Sequence, residues 1–276
     1  MHKSIYIPFL LIVLFDMTHT ARGQSIYLDN IDNNTSAVKK AGVSKEFIYV
    51  FEIKKDKLRD SGIAVVITYD TSGCVVSSER YDLPFDPKAK TIYYYNDRLK
   101  LIKMATSYSK QTPATVEIAY DSVGREIFRS EYSRFRRLIE WKEYNEMGKL
   151  HLVYNKFNNS KRYLHRKYYY SPIGRLQRLE SFDEFGRWTY TERIEFGRHS
   201  LELNVFLENP LLKKLNHTSW FNKDQQLVKR RYYQDNAEQY SDHYYKYNAD
   251  GTIAEWAVYS DGKLVSLKRH HYYYFD

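Results

Sequence analysis

A few groups of side chains in this sequence are placed where they could do chemistry. Asp183-Glu184 is an adjacent carboxylate pair. Two carboxylates that cleave a glycosidic bond must face each other across a cleft, about 5–10 Å apart. Neighbours within one turn point apart, so this pair is read as turn chemistry. His270-His271 precedes three tyrosines and lacks partners at the fixed geometry that a metal site demands. No metal and no cofactor is assigned. Cys74 is the sole cysteine, so the chain has no internal disulfide, and Cys74 is read as a small hydrophobe on a strand. There is no P-loop, no G-x-S-x-G and no H-E-x-x-H. The chain is expected not to be an enzyme; a hydrolase without a recognisable motif is the competing class.

Binding chemistry is better represented. Basic residues interleave with aromatics in "SRFRRLIEW" (133–141), "SKRYLHRKYYY" (160–170), "LVKRRYY" (227–233) and "LKRHHYYY" (267–274). Stacked by a repeat, Arg136, Arg162, Arg166, Arg230 and Arg231 would form a basic, ring-lined stripe suited to a polyanion or an acidic glycan. Acids on neighbouring strands, such as Glu131, Glu180 and Glu192, would neutralise it. Trp141, Trp188, Trp220 and Trp256 offer flat rings that suit sugar faces, although packing on a sheet explains them equally well. The formal charge is +9, from 43 Lys+Arg and 34 Asp+Glu, which permits attraction to polyanions without requiring it. The leading expectation is a binding or scaffold surface for a protein partner at the cell envelope, with carbohydrate or polyanion binding as the alternative. Nucleic acid is not favoured for an exported chain.

Export is read from the first residues, "MHKSIYIPFLLIVLFDMTHTARGQ". A basic start, an apolar run too short to span a bilayer as a helix, and small residues near a cleavage point describe a signal peptide over 1–23. No later segment approaches a membrane-spanning helix. The expected location is periplasmic, cell-surface or extracellular. Residues 24–45 are polar and outside the repeat, a lead-in or cap. Residues 46–276 form the repeat array.

The repeat is the strongest signal. An aromatic, a short polar turn, a glycine and an alternating run recur from Tyr69 through Tyr95, Tyr120, Tyr144, Tyr170, Phe196 and Phe221 to Tyr247, every 24 to 26 residues. Gly73, Gly124, Gly148, Gly174, Gly186, Gly251 and Gly262 hold the turn position. Asp, Asn or Ser at the turn start bonds back to the backbone, and glycine supplies a positive φ. Further aromatics halve the interval, giving a strand-turn unit of 12–13 residues and about 18 strands. Simple alternation puts Leu150, Leu152 and Tyr154 on one face and His151 and Val153 on the other. Both faces are mixed in polarity, which disfavours a two-sheet sandwich. The expected fold is all-β: an extended antiparallel meander of β-hairpin repeats, forming a twisted or curved single-layer sheet, a strip of order 80 Å long.

The phrase Tyr120-Asp121-Ser122-Val123-Gly124-Arg125 resembles the YD repeat of Rhs and teneurin proteins, with weaker copies at Tyr69-Asp70, Tyr144-Asn145, Phe182-Asp183 and Tyr247-Asn248. It is also somewhat similar to MORN-type repeats but lacks their second glycine pair. The YD resemblance covers most of 69–276. It implies strings of β-hairpins in curved sheets, built in large members into a shell around a toxin and in others into a binding surface. The present chain is too short for a complete shell, and the resemblance supplies no catalytic residues.

Overall fold

The protein is described here from a computed structural model, covering residues 37–54, 57–82, 86–108, 113–133, 137–197, 202–209, 212–234 and 239–275. The expected signal peptide lies outside the described residues. A single helical turn, residues 37–41, leads directly into the first strand.

Eighteen strands follow one another: β1 (Val43–Lys54), β2 (Lys57–Tyr69), β3 (Val75–Asp82), β4 (Asp86–Tyr95), β5 (Leu101–Tyr108), β6 (Ala114–Tyr120), β7 (Glu126–Tyr132), β8 (Arg137–Tyr144), β9 (Leu150–Phe157), β10 (Tyr163–Tyr170), β11 (Leu176–Phe182), β12 (Trp188–Phe196), β13 (Glu202–Asn209), β14 (Leu212–Phe221), β15 (Leu227–Tyr233), β16 (Tyr240–Tyr247), β17 (Ile253–Ser260) and β18 (Lys263–Tyr274). Each is antiparallel to the next, as expected for a hairpin meander. The open strip is corrected, because β1 pairs with β18 as well as with β2, and the sheet closes into a barrel. The seam runs from Val43↔Tyr274 to Phe51↔Leu267. A sheet of this length twists and coils until its two edges meet, and closure pairs backbone groups that both edges would otherwise expose.

The turns after the even-numbered strands form one rim. At Tyr120 the chain shows how the repeated phrase works. Asp121 Oδ1 accepts from the N–H groups of Val123 and Arg125, at 3.1 and 2.8 Å, and Gly124 takes a φ of 83°. The same carboxylate or amide bonding recurs at Asp70, Asn96, Asn145 and Asn222. The anchor tyrosine then reaches across the preceding strand. Its hydroxyl donates to the carbonyl of that strand's first residue: Tyr95 to Val75, Tyr120 to Leu101, Tyr144 to Glu126, Tyr170 to Leu150, Tyr247 to Leu227 and Tyr272 to Ile253, all at 2.8–2.9 Å. Each of these carbonyls sits just beyond the last rung of its ladder. The tyrosine therefore satisfies a backbone acceptor that the sheet leaves over.

A β-bulge follows nearly every rim turn; on β9 it falls between the rungs Glu143↔Leu152 and Tyr144↔Leu150. The extra residue corrects the simple alternation. Leu150 shares its face with Val153 and Asn155, whereas Leu152 and Tyr154 lie on the opposite face.

The two faces are inside and outside. Around the ladder, partners step steadily away from the tyrosine rim: Phe47, Val66, Glu79, Lys90, Ser107. With the handed tilt that sheet twist imposes on a barrel, this drift places Leu138, Glu140, Lys142 and Tyr144 of β8 inside, and Ile139, Trp141 and Glu143 outside. Crowding agrees, since side chains converge on a concave wall. Most buried strand residues, including Leu138, Leu150, Val153, Tyr168, Leu179, Leu203, Val205 and Leu227, are on the inner face. The apolar clusters are local to it: Leu150, Val153, Tyr168 and Leu179 pack together, as do Ile194, Leu203 and Val205. Among the described residues, the strand-to-strand contacts join ladder neighbours rather than strands facing each other across the barrel. Eighteen strands spaced about 4.8 Å apart and tilted about 40° enclose a backbone cylinder roughly 35 Å across, wide enough for a lumen.

Candidate functional site

The outer wall is charged and internally compensated. Arg231 grips Asp242 with two bonds of 2.7 Å, and Lys229 joins the same carboxylate at 3.1 Å. Glu255 takes Lys246 and Arg269, and Glu79 takes Lys90. Arg193 pairs with Glu208 and Glu195. Cations of this wall also lie over rings: Arg231 over Tyr240 at 3.9 Å, and Arg178, paired with Glu180, over Tyr169 at 4.0 Å. A wall so rich in ionised side chains is built to face water, because a lipid-facing barrel needs an apolar band.

The residues singled out from the sequence divide between the two walls. Trp141 is outside, edge-on to Phe128 and under Arg162, which also covers Tyr154 at 4.1 Å and pairs with Glu143. Trp188 is outside and donates its indole N–H to Thr191. Arg231 is outside, held by Asp242. Arg166, Arg230 and Trp256 face the lumen. Arg136 lies outside the described residues. The single basic stripe is therefore not formed. The intervals between these arginines do not keep parity once each bulge shifts the register by one residue.

On the inner wall, two sectors stand out. The first spans β7 to β12. Glu126 binds Arg129 at 2.9 Å and Lys142 at 2.8 Å, with Glu140 beside Lys142 at 3.5 Å. The two cations hold the Glu126 carboxyl below the usual range although burial opposes this. Further round, burial pushes the Glu192 carboxyl up, with Arg166 opposing. Asn155 Oδ1, Arg166 Nε and Ser181 Oγ are buried without a hydrogen-bond partner.

The second sector runs from β14 to β18 and is aromatic. His217 meets Tyr232 at 5.3 Å between ring centres, Tyr232 meets His243 at 5.0 Å, and His243 meets Trp256 at 5.7 Å. Tyr245 stacks on Trp256 with only 8° between planes. Lys268 sits 4.1 Å above the indole. Arg230 donates to Ser219 and to the hydroxyl of Tyr232. One row of rings thus crosses adjacent strands on the lumenal side. Burial, reinforced by Arg230, lowers the pKa of His217 well below its ordinary value and that of His243 to about 4. Both imidazoles are therefore neutral at pH 7. Of this row, Trp256 and Arg230 were singled out from the sequence, and Tyr232 and Lys268 lie in the basic, aromatic stretches 227–233 and 267–274. His217, His243 and Tyr245 join them only through the strand registers.

Near the rim, the row approaches a third group at the seam. Glu46 receives the Tyr69 hydroxyl at 2.6 Å and lies 2.5 Å from His270 Nδ1. The helical turn 37–41 packs on the same face, with Val38 buried against Val43, Tyr69, Val75 and Tyr272.

No protein-family model and no curated protein matches the chain. Among solved structures it is similar to a porin-like protein from Bacteroides uniformis, at 9% identity and a TM-score of 0.44, covering 84% of this chain and 97% of that one. A porin-like protein from Bacteroides vulgatus gives 10% identity and a TM-score of 0.33, covering 84% and 99%. The complex TcdB2-TccC3 without its hypervariable C-terminal region gives 10% and 0.36, covering 83% of this chain and 16% of that one. At these values no activity passes from those proteins to this one.

Proposed function

We propose that the protein is an exported, non-enzymatic, YD-repeat-like barrel whose interior is its binding compartment. The observation that carries this reading is the row of rings from His217 to Trp256 on the lumenal wall. Half-buried aromatic side chains lining the inside of a closed sheet offer a platform for a flat, partly apolar ligand. The outer wall offers less, because its cations are matched by acids on adjoining strands. The geometry thus favours the carbohydrate alternative over a protein partner docked on the outside.

An array of oligosaccharides presented to the protein and to two variants tests it. Trp256→Ala is expected to lose binding at least tenfold, and Trp141→Ala, on the outer wall, to bind as the parent does. Loss in Trp141→Ala with retention in Trp256→Ala would move the site outside and refute the lumenal reading.

A further inference from the structure

We propose that the β14–β18 sector of the inner wall selects an acidic carbohydrate, with Tyr232, His243 and Trp256 beneath the sugar rings and Arg230 and Lys268 taking the anionic groups. This rests on the lumenal reading above and adds the charge of the ligand to it.

Three observations converge. Both cations stand in the row of rings, since Arg230 is the ladder partner of His243, and Lys268 that of Trp256. They are three strands apart, roughly 15 Å, which suits an oligosaccharide with more than one charge better than a single sugar. Next, among the described residues the inner positions of these strands carry no carboxylate: they read Lys214, His217, Ser219 and Phe221; Leu227, Arg230 and Tyr232; Ser241, His243, Tyr245 and Tyr247; Ile253, Trp256, Val258 and Ser260; Lys263, Ser266, Lys268, His270 and Tyr272. The nearest lumenal acid round the seam, Glu46, is engaged by Tyr69 and His270. On β7 and β8, by contrast, Glu126, Glu131 and Glu140 share the inner wall with Arg129 and Lys142. The lumen is therefore basic and aromatic on one side and acid-rich on the other. Finally, the neutral imidazole of His243 lies between the two cations in the row, and both act to keep the proton off it. A bound carboxylate or sulfate would meet a positive field and two cationic donors able to form charge-assisted bonds.

The test compares trigalacturonate, a sulfated trisaccharide and uncharged maltotriose by calorimetry, at low and high salt. The expected result is that one or both charged probes bind and maltotriose binds at least tenfold more weakly. Carboxylate and sulfate sources are separated by which of the two charged probes binds more tightly. Lys268→Gln is expected to weaken the charged probe about tenfold and Lys268→Arg to restore most of it. Lys246→Gln, on the outer wall, should leave binding unchanged. Should Lys268→Gln fail to fold, a salt titration of the parent replaces it, with binding expected to weaken as salt rises. If maltotriose binds as tightly as the charged probes and Trp256→Ala abolishes it, the lumenal reading survives and the charge selection is wrong. If no probe binds, or binding ignores Trp256, both fail.

Discussion

At the scale of single residues, the rim tyrosine hydroxyls other than that of Tyr69 do one job: each fills a carbonyl beyond the end of the ladder. Tyr120→Phe keeps the ring and removes the bond to Leu101, and it should cost about 1 kcal/mol in urea unfolding. Phe196 and Phe221, at equivalent rim positions, show that the ring alone suffices locally. The turn glycines of the two rims differ in a measurable way, Gly73 after β2 and Gly186 after β11. Gly73 and Gly186 both have positive φ, so alanine strains either by about 1–2 kcal/mol. A Cβ at Gly186 meets open space, whereas one at Gly73 comes within 2.5 Å of Lys39 Cβ. Gly73→Ala is therefore expected to be more destabilising than Gly186→Ala by at least about 1 kcal/mol. Equal losses would mean that the helical turn 37–41 does not pack on the rim. The turn chemistry was legible in the sequence because it is local: Asp121, Gly124 and Arg125 interact within five residues. The basic residue after the positive-φ turn position, a glycine or, before Lys100, Leu99, carries a further role that the sequence did not disclose. Lys100, Arg125 and Lys149 each lie against the glycine of the next rim turn, and Arg125 covers the Tyr144 ring at 4.6 Å.

At the scale of strands, cross-strand charges and buried imidazoles set the response to pH. Asp242 is 5% exposed, and its carboxyl lies below its ordinary range, because bonds from Arg231 and Lys229 outweigh burial. Asp242→Asn should cost about 2–3 kcal/mol, since it strands Arg231. His217 and His243 act in a different window. Their folded pKa values are below the unfolded value, so protons bind the unfolded chain more readily. The stability they contribute is complete above about pH 6.5 and is lost as pH falls toward 4. For His243 the loss amounts to roughly 3 kcal/mol at most. A melting temperature that is flat above pH 7 and falls between pH 6.5 and 4 is expected, with a smaller fall in His243→Phe. A fall confined to pH below 4 would assign acid sensitivity to carboxylates alone. The existence and length of these strands could be read from the 24–26-residue spacing. Their faces could not, because each bulge inverts the alternation, as Leu150 and Leu152 show. That inversion also scattered the arginines of the expected stripe over two walls.

At the scale of the whole molecule, closure creates everything proposed here, because an open strip has no lumen. Closure depends on residues 43–51 meeting 267–274, a contact between chain ends that no local pattern announces. The mixed polarity of both faces was legible and argued correctly against a sandwich. It has a reason: one face meets bulk water and the other a wide lumen. The most direct measurement is the distance between spin labels at Lys45 and Tyr273, outer-wall partners across the seam, in a Cys74→Ser background. A closed barrel predicts a single short distance, within about 10–15 Å between labels. A distance of several tens of ångströms, approaching the ~80 Å of an unrolled strip, would contradict closure and with it the lumenal site.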